Sequence, residues 1–186
     1  MVASVRSILL QQFNGYLSTG GSNRYYIKDL TWQVKQGEHW VLLGGNGAGK
    51  SALGATLIGE AKQQSGQRHS AFNNPQLVSS DLQKQLLSAN RKSDKQQKVT
   101  DILFSEPEIN NDLCQQLITS LNFDALLNRN FTDLSTGETR KLLLIKAVSA
   151  NSDLVVLDEP FDGLDAESAR QLNRLLKQLS THTCFV

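Results

Sequence analysis

Eight consecutive residues, Gly44, Gly45, Asn46, Gly47, Ala48, Gly49, Lys50 and Ser51, fit the spacing G-x-x-x-x-G-K-[ST] at every fixed position. Glycines let a backbone turn its N–H groups inward around an anion with no side chain in the way. A helix beginning at the lysine would present its positive N-terminus to the same anion. The chemistry is therefore nucleotide phosphate binding. Lys50 reaches the β- and γ-phosphates, and the Ser51 hydroxyl is a suitable Mg²⁺ ligand. A glycine-rich turn that merely matches the spacing is the plainer alternative. The apolar stretch Trp40-Val-Leu-Leu43 before it and the helical pattern after it favour the phosphate loop.

A second group lies about a hundred residues on, where Leu154-Val-Val-Leu157 runs into Asp158 and Glu159. An apolar strand ending in two carboxylates sets them at the carboxyl edge of a sheet, where open α/β folds bind ligands. Asp158 would hold Mg²⁺ directly or through water, and Glu159 would orient and polarise an attacking water. An acidic strand exit that caps a helix is the plain reading. A third group, Leu134-Ser-Thr-Gly-Glu138, opens the helix before that strand. Ser135, Thr136 and Gly137 expose backbone N–H groups, which suits a phosphate. Ser135 with Glu138 three residues later equally spells a capping box, and both can hold at once.

These groups need elements to carry them. Residues 5–34 read as short strands and turns, with Gly15 and Gly20-Gly-Ser-Asn23 as turn material and Leu30-Thr-Trp-Gln-Val34 alternating like a half-buried strand. Gln36-Gly-Glu38 is a turn. Residues 40–43 and 154–157 read as strands buried on both faces. Residues 76–80 are strand-like, whereas 88–98 show no periodicity and read as a solvated, mobile loop interrupted by Asp94. Helices are expected over 111–121, 138–150 and 165–179, the last capped by Asp165, with a strand starting at 181–186. Strands alternating with helices imply a mainly parallel α/β sheet.

Composition bounds the rest. The 186 residues carry 19 Lys+Arg against 18 Asp+Glu, a net charge of +1, with 39% hydrophobic and 20% charged residues. That is an ordinary globular balance, with no bulk electrostatic signal for nucleic acid or an anionic membrane. No apolar run approaches the roughly 20 residues a membrane helix needs, so no membrane insertion is expected. Cys114 and Cys184 make neither a metal spacing nor a disulfide framework, and a cytoplasmic setting is the default.

The order phosphate loop, Leu134-Ser-Thr-Gly-Glu138, Leu154–Glu159, then Phe161-Asp-Gly-Leu-Asp165 resembles the ATP-binding-cassette (ABC) ATPase family over essentially the whole chain. Residues 134–141 and 157–165 are closest in wording to the first cassette of ModF-type tandem members, labelled as molybdenum-transport or photorepair ATPases. The resemblance implies a P-loop NTPase fold with an N-terminal antiparallel β portion and an inserted helical subdomain. Residues 1–80 and 138–186 would form the nucleotide-binding core, and 81–137 the helical subdomain ending in the signature. It implies MgATP hydrolysis between head-to-tail cassettes, the second cassette on the same or a tandem chain. The resemblance allows a membrane permease as a further partner, which would place the protein peripherally at the inner membrane. It equally allows a soluble tandem ATPase acting as a switch or repair factor without a permease, or an ATP-binding module with little hydrolysis. Ser135, Thr136 and Gly137 would then contact the γ-phosphate held by the partner cassette. Glu159 and Lys50 would be catalytic, and Asp165 would communicate across the interface. Tyr16 is the first candidate to stack on adenine, with Tyr25 and Tyr26 as alternatives.

Three departures from the family pattern stand out. Thr136 replaces the usual signature glycine. The usual glutamine after residues 76–80 has no clear counterpart, Gln83 being read as a surface helix residue. The switch histidine of the family has no equivalent: His182 precedes the strand it should follow, His39 and His69 read as surface residues, and the chain stops at Val186 inside that strand. The expectation is an incomplete cassette, the front part of a longer tandem protein.

Overall fold

The computed structural model describes residues 6–18, 24–92, 96–105, 109–180 and 183–186. The turn read at residues 20–23, the Asp94 interruption and the assignment of His182 lie outside them. The chain divides into two compact units: Met1–Leu77 with Asp153–Asp158 and His182–Val186, and Val78–Ser152 with Glu159–Thr181.

In the first unit, β1 (Ser7–Ser18) lies between β2 (Arg24–Lys35) and β3 (Lys62–Ser70), both antiparallel to it. In β1, Ile8 and Leu10 alternate inward and Phe13 follows past a shift in the ladder register; all three are buried with Val34 of β2, and Leu10 pairs with Trp32. A second sheet orders β4 (Gln76–Val78), β5 (Leu154–Leu157) and β6 (Cys184–Phe185), with β5 and β6 parallel. Helix α1 (Lys50–Ile58) contributes Leu57 to one core with Ile8, Leu10, Leu154 and Val156. Each such buried side chain contributes about 1.5–3 kcal/mol. Both cysteines are buried thiols. Cys184 donates to the Glu38 carbonyl at 2.7 Å, and burial pushes its pKa up to about 11; burial raises Cys114 as well.

The second unit is helical: α2 (Ser80–Lys92), α3 (Val99–Leu103), α4 (Asn111–Ser120), α5 (Thr136–Ser149) and α6 (Ala166–Leu179). Helix α5 is buried on nearly every side from Thr139 onward, as a central helix must be, and α2, α3 and α4 pack on it. Helix α4 turns Cys114, Leu117 and Ile118 inward, and α6 does so with Leu172 and Leu175. The Asp165 carboxylate accepts from the Ser168 amide at 2.8 Å and caps α6 as expected. That amide also holds the Asp165 carboxyl below its ordinary value. Among the described residues no helix is long and apolar enough to cross a membrane.

Several expectations require correction. Gly15 is not turn material but lies inside the 12-residue β1, where a Cβ would stand 2.6 Å from the Lys62 carbonyl oxygen. There the glycine admits a neighbouring backbone. Residues 40–43 form no buried strand: Val41 is 81% and Leu43 90% exposed, and only Leu42 packs on the core. The Trp40 amide donates to the Phe185 carbonyl at 3.0 Å, which aligns this stretch beside β6 without covering its outer face. Residues 62–70 make a strand that no hydrophobic alternation announced, held by its ladder to β1. Residues 88–92 belong to α2 and not to a loop, with Asn90 buried and bonded to Gln97 at 2.7 Å.

Candidate nucleotide site and the signature helix

The glycine-rich loop of residues 44–49 leads directly into α1, whose N-cap Gly49 has φ +93 and brings no side-chain oxygen to the first amides. No acidic residue sits in the first turn of α1, so its N–H groups and positive dipole end face outward unneutralised. Where a Cβ would stand at Gly45, Gly47 and Gly49 there is open space. The Lys50 ammonium folds back to donate to the carbonyls of Gly44 at 2.8 Å and Gly45 at 3.0 Å. Helix α1 approaches β5 so closely that a Cβ on Gly54 would lie 2.9 Å from Val156 Cγ1. Open space beside the loop glycines, an uncapped helix start and a cation folded onto the loop fit a polyphosphate.

Asp158 follows the last residue of β5 at the carboxyl end of the parallel pair, where the Leu157 amide donates to the Val186 carbonyl at 2.7 Å. Asp158 is half-buried, and Ser51 is exposed in the first turn of α1. Both offer hard oxygen donors. No cluster of three or more His, Cys, Asp or Glu able to hold a metal occurs among the described residues. Mg²⁺ keeps several waters and takes one or two protein oxygens beside substrate phosphates, the chemistry that Ser51 and Asp158 could supply.

In the second unit, Ser135 forms the full capping box. Its Oγ accepts from the Glu138 amide at 3.3 Å while its own amide donates to Glu138 Oε2 at 2.7 Å. That amide bond holds the Glu138 carboxyl below the ordinary range, helped by Arg129, 3.6 Å away. Ser135→Ala should cost about 1 kcal/mol, read as a lower melting temperature. The sign with pH follows from linkage. The lowered Glu138 contributes stability that is complete above the ordinary glutamate range and is lost as pH falls through the lowered folded value. Glu138→Gln should therefore flatten the acid-side decline of the melting temperature, and an unchanged acid limb would contradict this.

Gln83 is not on the surface. It is 5% exposed, and its Nε2 donates to the Thr136 carbonyl at 3.2 Å. Glu159 is exposed and holds a left-handed backbone, φ +53, unusual for a residue with a Cβ. Its carbonyl accepts from the Asp162 amide at 3.1 Å and from Arg140 Nη1. The sequence signal at Arg140 is slight: a basic pair, Arg140-Lys141, directly before the apolar run of residues 142–145. Of the tyrosines, Tyr16 is half-buried, whereas Tyr25 and Tyr26 are exposed. Tyr16 packs against Tyr26 at 5.8 Å, and the Arg24 guanidinium lies 4.8 Å over its ring. His39 and His69 are exposed, as expected; His39 accepts from the Phe185 amide at 3.2 Å, and His69 bonds Gln67 at 3.1 Å.

This architecture is that of an ATP-binding cassette. The family model described as "ABC transporter" matches residues 27–162, and the chain belongs to that family. A chain of a metal-chelate type ABC transporter, solved in an inward-facing conformation, superposes with a TM-score of 0.69 at 22% identity, covering 97% of this chain and 72% of that one. A protein described as a cobalt transport ATP-binding protein gives 0.71 at 22%, over 96% and 69%. The ABC transporter ATP-binding protein ModF of Escherichia coli is 36% identical over 184 residues, 91% of this chain and 36% of ModF. The zinc import ATP-binding protein ZnuC of Ehrlichia chaffeensis is 26% identical over 85% of this chain and 64% of its own length. The chain thus spans about two thirds or less of these two curated relatives.

Proposed function

We propose that this cassette binds MgATP and hydrolyses its γ-phosphate bond to drive conformational work. The open glycine cradle at an uncapped α1, with Lys50 poised on the loop carbonyls, is the observation that carries this reading. In it, Gly44, Gly45, Asn46, Gly47, Ala48 and Gly49 wrap the phosphates with their backbone, and Lys50 transfers its bonds from loop carbonyls to phosphate oxygens. Ser51 and Asp158 would hold Mg²⁺, which supplies charge neutralisation of the phosphates when bound. Glu159 accepts the proton of the attacking water and orients it. Tyr16 would stack on the base, with Arg24 giving way.

The cassette would act in a head-to-tail pair with a second one, on this or another polypeptide, Ser135, Thr136 and Gly137 meeting the γ-phosphate across the interface. The paired capping amides of α5 leave the remaining first-turn N–H groups for that anion. Residues 1–80 and 138–186 would serve as the nucleotide-binding core, and 81–137 as the helical part. The curated relative described as a zinc import ATP-binding protein supports a transport system, in which the cassette would sit on the cytoplasmic face of a permease. The molybdenum type is the finer assignment, resting on the wording of residues 134–141 and 157–165. Phosphate release from MgATP by the full-length protein, with and without a co-expressed permease, tests it. Activity above background is expected; absent nucleotide binding overturns the ATP reading, and indifference to any permease favours a soluble tandem switch or repair factor.

A further inference from the structure

Arg140 lies one turn into α5 and is 1% exposed, among the largest fully buried side chains of the chain. A guanidinium cannot shed its charge, so burial is tolerated only where its donors find acceptors. One of those acceptors is the carbonyl of Glu159. The same residue has the left-handed backbone, φ +53, a conformation that persists in a non-glycine residue only when its surroundings enforce it. A second tether lies a few residues on. A Cβ on Gly137 would stand 2.9 Å from the Gly163 carbonyl oxygen, and one on Gly163 would meet Thr136 Cγ2 at 3.4 Å. Residues 159–163 are therefore held at both ends by the first turns of α5, at 159 through a buried cation and at 163 through close packing.

We propose that Arg140 is a positioning residue for Glu159. By fixing the carbonyl of residue 159, it fixes the backbone angles from which the carboxylate departs, and so the aim of that carboxylate. Because α5 begins at the Ser135 cap, the same bond ties the aim of Glu159 to the segment carrying Thr136 and Gly137. The inference rests on the reading of Glu159 as the group that acts on water, and the experiment separates the two.

In the full-length protein, Arg140→Met keeps much of the volume and removes the donors. Its kcat should fall at least tenfold, with KM for ATP within about twofold of the parent, because phosphate binding is left intact. Arg140→Lys, which retains a cationic donor, should recover part of that loss. In a Glu159→Gln background, Arg140→Met should lower turnover no further, since a residue acting through Glu159 has nothing left to aim. Hydrogen exchange without nucleotide gives an independent readout: the amide of Asp162, bonded to the Glu159 carbonyl, should lose protection in Arg140→Met while those of α4 do not. Unchanged kcat in Arg140→Met, or additive losses in the double variant, would overturn the proposal. If Arg140→Met does not fold, Arg140→Lys decides by the same non-additivity and exchange criteria. Full turnover by Glu159→Gln would instead sink the role of Glu159 itself.

Discussion

Lys50→Ala is expected to weaken ATP binding by on the order of 100-fold and to bring turnover to background. Charge-assisted bonds contribute about 1.5–3 kcal/mol each, and Lys50, the one lysine among residues 44–51, would supply the loop's ammonium to the phosphates. The two bonds it makes to Gly44 and Gly45 show that the amine already sits within the loop it would serve. Removing it deletes the cation and loosens the cradle together, so the loss should fall on affinity and not only on rate. Titration calorimetry with ATP measures it, with circular dichroism to show that the variant is folded. A folded Lys50→Ala protein that binds ATP like the parent would refute the assignment of residues 44–51.

Glu159→Gln separates binding from chemistry. The amide keeps size and hydrogen bonding but cannot take a proton, so kcat should fall by about 10²–10⁴ while ATP affinity stays near that of the parent. With hydrolysis blocked, the ATP-bound pair should accumulate as a dimer in size-exclusion chromatography. Glutamine also leaves intact the backbone arrangement at residue 159, whose carbonyl serves Arg140 and Asp162. Parent-like turnover would mean that another group aligns the water.

Residues 44–51 and the Asp158–Glu159 pair stood out as candidates in the sequence because the chemistry proposed for them depends on residue type at fixed spacing, and backbone glycines advertise themselves. The helices α4, α5 and α6 were readable because each repeats apolar residues at a helical period or opens on a capping residue. What escaped was decided by partners distant in sequence. Strand β3, Lys-Gln-Gln-Ser-Gly-Gln-Arg-His-Ser, carries no pattern of its own and exists through its ladder to β1. Residues 40–43 read as doubly buried since apolar continuity says nothing of whether a second layer covers them. Gln83 looked like surface polarity, yet the Thr136 carbonyl, 53 positions away, gives its amide a reason to be inside. Arg140 is the same case in stronger form: its acceptor at Glu159 is 19 positions off and belongs to a loop.

The two cysteines have a practical meaning for anyone who wishes to watch cassettes meet. Both are buried, with thiols raised above their ordinary value, Cys184 to about 11, so little reactive thiolate is presented at neutral pH. The native chain therefore offers a quiet background for maleimide dyes and spin labels. A single reporter thiol engineered on the exposed face of α6 could follow pairing without first stripping Cys114 and Cys184 from the cores that need them.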